Sequence, residues 1–169
     1  ALDPRVAHDI ARELIEAKRP VLHAGGGVLL AEASQELAAL SEHLDIPISR
    51  TLMGQGCVSD HHPLLLGQTG FWGFAFTHQQ TRDADVILAL GTRLAEAARS
   101  SWYDGVTFDM TATRFLQIDI DPTELGRNYP VAIGAVADLK LALGQILDAV
   151  KAEKPEGIRR SGLREEITG

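Results

Sequence analysis

The feature that most limits the fold is a series of short apolar runs, each closing on glycine or a polar turn, that alternate with stretches of helical period. The plainest run lies within Asp85 to Leu90 (Asp-Val-Ile-Leu-Ala-Leu) and ends at Gly91-Thr92-Arg93. Pro20 to Ala24 runs straight into Gly25-Gly26-Gly27, and Ile46 to Ser49 leads into Arg50-Thr51-Leu52-Met53. Phe115 to Ile120 closes at Asp119-Ile120-Asp121-Pro122, and Val131 to Val136 is the last run. Strands apolar along their whole length are buried on both faces, which is the condition of a parallel sheet. Between them, Asp3 to Lys18 places Val6, Ile10, Leu14 and Ala17 at helical spacing, and a second helix carries Ala33, Leu37, Leu40 and Leu44. Helices are also expected over about Gly73 to Arg82 and from an Asp138 cap through Leu139, Ala142, Leu143, Ile146 and Val150. Asp3 with Pro4, and Asp121 with Pro122 and Glu124, are helix-start signals. The alternation predicts an α/β fold, a three-layer doubly wound parallel sheet of the Rossmann-like kind.

At 169 residues with 45% hydrophobic and 23% charged, the chain suits one domain with its own core. Residues 1–152 are expected to form that domain and 153–169 a linker or tail. The stretch 95–112 has no clean period and reads as a long loop with a turn of helix. The formal charge of -7 argues against nucleic acid as a partner and gives no support for an anionic membrane surface. No apolar run approaches the roughly 20 residues of a membrane span. Cys57 is the single cysteine, which suits a cytoplasmic setting. The opening Ala1-Leu2-Asp3-Pro4 lacks an initiator methionine, so an origin inside a longer protein is expected.

In open parallel sheets ligands sit beyond the carboxyl ends of the strands, where the strand order reverses. Gly25, Gly26 and Gly27, followed by a helix, offer backbone N–H groups and a positive dipole end to a phosphate. The alternative is a tight turn with close helix packing. Asp119 is placed to accept hydrogen bonds from ribose hydroxyls or an adenine amino group, or else to cap; Asp121 is better explained as a cap. Arg93 offers a fork of donors to a pyrophosphate, with a structural ion pair as the alternative. Phe71 and Trp72, between Gly70 and Gly73, either face a flat ring or fill core.

A nicotinamide dehydrogenase fares worse. Its Gly-x-Gly-x-x-Gly fingerprint needs a glycine near Leu30, and Gly25-Gly26-Gly27-Val28-Leu29-Leu30 has none. It also wants an acid after the second strand, where Arg50 stands, a residue suited at most to a 2′-phosphate. His23 reads as a core histidine, His61-His62 as a poor metal pair, and Cys57 as filler without a base. No catalytic residue is assigned.

The blocks above, taken in order, resemble a known family. Lys18-Arg19-Pro20-Val21-Leu22 leads into the glycines, Pro47-Ile48 precedes Thr51-Leu52-Met53-Gly54-Gln55-Gly56, and Ala84-Asp85 opens the run to Arg93. Ile118-Asp119-Ile120-Asp121-Pro122, Glu124-Leu125-Gly126-Arg127-Asn128 and Asp138-Leu139-Lys140 follow. Together they resemble the central domain of thiamine diphosphate-dependent decarboxylases and carboligases, of the acetolactate synthase-like branch, a DHS-like NAD/FAD-binding fold. Arg127-Asn128-Tyr129-Pro130-Val131 looks like sulfoacetaldehyde acetyltransferase.

The resemblance implies a homo-oligomeric parent with flanking pyrimidine- and diphosphate-binding domains. Thiamine diphosphate and magnesium would bind in those domains, and this domain alone would be inactive. It implies FAD or ADP here, with Gly25, Gly26 and Gly27 at the phosphates and Thr51, Leu52 and Met53 as a wall. Gly91 and Arg93 would meet the pyrophosphate, Asp119 and Ile120 the adenosine, and Asp138 the ribose or ring. Acetolactate synthases carry Gly-Met-His-Gly where this chain has Gly70-Phe71-Trp72-Gly73, and Gly-x-Arg-Phe-Asp-Asp-Arg at Gly91 to Ala97. These departures fall on the flavin-contacting region. A scaffold binding no nucleotide, and a free-standing NAD-dependent enzyme of sirtuin-like fold, are the alternatives.

Overall fold

The structure, a computed structural model, describes residues 1–98, 103–160 and 162–168. The loop expected over 95–112 lies partly outside them. Helix α1 spans Pro4–Glu16 because Asp3 accepts the Arg5 N–H at 2.8 Å and Pro4 takes the first helical position. It buries Ala7, Ile10, Ala11 and Leu14. Strand β1, Pro20–Ala24, is buried throughout. The single helix expected next is two: a short turn α2 (Gly26–Leu30), then α3 (Ser34–Leu44). Between them Glu32 adopts φ +52°, which breaks the helical run.

Strand β2 is Ile48–Arg50, slightly later than expected, because Asp45 closes α3 in a left-handed conformation at φ +53°. Strand β3, Leu65–Gln68, has no counterpart in the sequence reading. Gly67 lies inside it at φ +108°, and the β2–β3 register shifts between Ile48 and Ser49. Helix α4 (Ala75–Arg82), β4 (Val86–Leu90), β5 (Arg114–Asp119), β6 (Ile133–Val136), α5 (Leu139–Glu153) and α6 (Leu163–Thr168) complete the chain.

All pairings are parallel, in the order β3-β2-β1-β4-β5-β6. This is a doubly wound sheet, and its order reverses between β1 and β4. Successive strand residues feed opposite faces. Leu22, Ala24, Leu88, Leu90, Leu116 and Ile118 pack with α1, α3 and α5. Val21, Ile87, Ala89 and Phe115 face the other way, toward Leu94, Phe108 and Tyr129. There Phe115 and Tyr129 stack with centroids 4.9 Å apart, and Phe108 meets both edge-on. Each fully buried Leu, Ile or Phe contributes about 1.5–3 kcal/mol relative to exposure.

The segment 153–169, expected as a linker or tail, returns to the body over its described part. Ile158 N–H donates to His43 O at 2.9 Å. Arg160 N–H donates to Asp45 Oδ2 at 2.9 Å, and Arg164 Nε donates to Asp45 Oδ1 at 2.8 Å.

Candidate functional site

The carboxyl ends of β1, β2, β4 and β5, with the start of α5, border one cavity of about 640 Å³ at the reversal of strand order. Gly25, Gly26 and Gly27 border it from β1; Thr51, Leu52 and Met53 from β2; Gly91 and Arg93 from β4. Asp119 and Ile120 border it after β5, and Asp138 at the start of α5. The structure thus brings together the strand-end residues singled out for ligand contact, with Arg50 of the second strand end outside the lining. Its volume lies inside the roughly 300–1,000 Å³ of small-molecule pockets.

Packing accounts for much of the glycine run. A Cβ on Gly25 would strike Gly91 O and lie 2.6 Å from Thr92 Cβ; one on Gly27 would lie 2.7 Å from Gly91 Cα. Gly91 adopts φ +55°, and a Cβ there would lie 2.6 Å from Gly27 Cα. The two turns therefore interlock backbone against backbone, an approach only glycine permits. Gly25 N–H donates to Leu90 O at 2.9 Å and Gly27 N–H to Gly91 O at 3.0 Å. Gly26 is different: among the described residues its N–H has no backbone partner, and a Cβ there would meet Met53 at 3.2 Å.

The flanking loops are held by side-chain bonds. Thr51 Oγ1 accepts the Gly54 N–H at 3.2 Å. Gln117, buried in β5, donates from Nε2 to Thr92 O at 3.3 Å and Glu124 O at 3.0 Å, and accepts the Gly126 N–H at 2.9 Å. One amide thus ties two walls of the cavity. It was not singled out from sequence, because a glutamine inside an apolar run carries no motif. Asn128 Nδ2 donates to Arg93 O at 2.7 Å, fixing the backbone from which the exposed Arg93 side chain projects.

The polar side of the cavity is acidic. Asp119, 8% exposed, accepts the Asp121 N–H through Oδ1 at 3.0 Å. Asp121 caps the 3₁₀ turn Pro122–Glu124, and the Thr123 hydroxyl and N–H hold its carboxyl below the usual range. Asp138 caps α5 by accepting the Leu141 N–H at 3.0 Å. Glu124, a cavity residue the sequence reading used only as a helix-start signal, pairs with Arg127 at 3.0 Å.

Phe71 and Trp72 are 58% and 65% exposed, so the core-filling alternative does not hold for them. Trp72 borders the cavity, a role left open by the sequence. Gly70 N–H donates to His78 Nε2 at 3.0 Å, so that nitrogen carries no proton, and burial pushes the His78 pKa down. Arg50 does not border the cavity; its Nη1 stands 2.8 Å from Asp60 Oδ1 but off line for a hydrogen bond.

His23 is fully buried, bonded through Nδ1 to Ser49 Oγ at 2.8 Å and edge-on to Phe108. Burial pushes its pKa down to about 4. Cys57 is buried among apolar residues, which pushes its thiol pKa up and away from the reactive thiolate. His62 accepts the Leu64 N–H, and its Nε2 lies 3.2 Å from Glu42. Among the described residues no group of three His, Cys, Asp or Glu side chains is arranged to hold a metal ion.

The profile of the thiamine pyrophosphate enzyme central domain matches residues 7–146. The chain is 38% identical over 148 residues to a probable acetolactate synthase large subunit of Methanococcus aeolicus, covering 85% of this chain and 23% of that protein. It is 32% identical over 170 residues to a sulfoacetaldehyde acetyltransferase of Castellaniella defragrans, covering 94% and 28%. In fold it is similar to the benzoylformate decarboxylase of Polynucleobacter necessarius, with a TM-score of 0.73 at 22% identity, over 95% of this chain and 28% of that one. The chain spans about a quarter of the length of the curated relatives it matches. A doubly wound sheet with its rim cavity, a profile over most of its length and these relatives agree: the chain belongs to the thiamine pyrophosphate enzyme central-domain family, in its acetolactate synthase-like branch.

Proposed function

We propose that this chain is the middle part of a longer cytoplasmic, thiamine diphosphate-dependent carboligase or decarboxylase, in which it holds FAD or ADP and braces two flanking domains. The observation that carries the nucleotide reading is the cavity at the strand-order reversal, built from strand ends whose chemistry changes across the sheet. Acceptors for an adenosine, Asp119 and Asp138, lie toward β5 and β6. Arg93 and the free Gly26 N–H lie at β4 and β1, where phosphates would sit. Met53 and Trp72 provide an apolar wall for the remainder of a dinucleotide. FAD in such a site would supply a flat ring held by packing; the chain's own residues bind and orient and move no proton.

On this reading thiamine diphosphate and magnesium bind in the flanking domains, in a homo-oligomeric parent whose active site lies outside this chain. Differential scanning fluorimetry tests the nucleotide role: FAD or ADP at saturating concentration raises the melting temperature by several degrees. No shift with either, and no flavin absorbance in the purified protein, would leave the scaffold reading. One observation favours that second reading, since Gly25, Gly27 and Gly91 are demanded by packing with or without a ligand.

A further inference from the structure

Charge is unevenly spread around the cavity. Asp119, Asp121, Glu124 and Asp138 all border it on the β5 and β6 side, whereas Arg93 is the one cation lining it among the described residues. Arg127 at 3.0 Å offsets Glu124, which leaves three carboxylates facing one guanidinium. A diphosphate adds negative charge to that setting. The glycine turn compensates with a single N–H, that of Gly26: Gly25 and Gly27 spend theirs on Leu90 O and Gly91 O, and α2, with 5 residues, is too short to sum a sizeable dipole.

We infer that the cavity recognises the nucleoside part of its ligand, an amino-bearing base on a ribose, and draws little affinity from phosphates. The inference rests on the nucleotide reading of the cavity and narrows it. Ionised carboxylates only accept hydrogen bonds, so their partners are ribose hydroxyls and exocyclic amino groups, not phosphate oxygens. Asp119 gives Oδ1 to the Asp121 N–H and Asp138 gives Oδ1 to the Leu141 N–H, so each retains a second oxygen for a ligand donor. The apolar side of the cavity, with Met53 and Trp72, packs against a base as readily as against a longer ligand.

Calorimetric titration of the chain with adenosine, AMP, ADP and FAD at low salt, where charge effects are largest, separates the possibilities. The expected result is that ADP binds less than about tenfold more tightly than adenosine. A tenfold or greater advantage for ADP, or binding of FAD without binding of adenosine, overturns the inference and leaves the nucleotide reading standing. Binding by none of the four overturns the nucleotide reading, and the inference falls with it. Asp138→Asn gives a second test, because asparagine caps a helix as well as aspartate and the fold is preserved. Removing that charge raises the ADP-to-adenosine affinity ratio by about threefold or more. An unchanged ratio in a variant of unchanged melting temperature overturns the charge argument.

Discussion

At His23 the packing of the sheet's second face also sets a proton affinity. The ring is sealed from water, bonded to Ser49 and edge-on to Phe108, so it folds neutral, with a pKa of about 4 against 6.5 unfolded. Because the folded value is the lower one, the unfolded chain binds the extra proton between those two limits. Stability is therefore complete above pH 6.5, falls as pH drops toward 4, and levels off below. The contribution at stake is on the order of 3 kcal/mol. Urea denaturation at pH 7.0 and pH 4.5 checks it: the His23→Asn variant is expected to lose less stability between those pH values than the parent. An equal loss in both would remove His23 from the acid response. The sequence placed His23 in the core, since its neighbours in the run are apolar. It did not disclose the Ser49 partner, which comes from a neighbouring strand.

Among the elements, α6 and the segment leading to it are held by a residue that looks unremarkable in the sequence. Asp45 ends α3 at φ +53°, is 2% exposed, and accepts from Arg160 N–H and the Arg164 guanidinium. Arg160 in turn donates to Ala17 O at 3.1 Å and Lys18 O at 3.2 Å, carbonyls at the end of α1 that lack helical partners. Asp45→Ala is expected to cost about 2 kcal/mol and to free residues 158–168, because charge-assisted bonds carry roughly 1.5–3 kcal/mol each. Hydrogen exchange and limited proteolysis check this; protection of that segment equal to the parent's would count against it. Such polar docking leaves no periodic trace, which is why 153–169 reads as a tail from sequence. Strand β3 was invisible for a related reason: Gly67 at φ +108° interrupts it and only Leu66 of its residues is buried. By contrast β4, β5 and α5 were legible, because unbroken apolar runs and an Asp cap are local signals.

For the whole molecule, the cavity wears a collar of exposed apolar side chains: Leu30 at 89%, Met53 at 72%, Ile120 at 70%, Trp72 at 65% and Leu52 at 52%. A grouped patch of this kind marks a surface meant to be covered. The folded chain is expected to bind an apolar dye such as ANS at this mouth, and the Met53→Ser/Trp72→Ser double variant to bind about half as much or less. Dye fluorescence at matched stability reads the difference; undiminished binding would place the apolar surface elsewhere. That the strand ends would gather in one place was legible, since parallel sheets expose one set of carboxyl ends. What the glycines are for was not, because the interlock of Gly25 and Gly27 with Gly91 joins turns more than sixty positions apart. That interlock reaches into ancestry. A descendant that bound no nucleotide at all would still be forbidden any side chain at these three positions, so the glycine signature stands with or without a ligand, like a keyhole left in a door whether or not a lock is behind it.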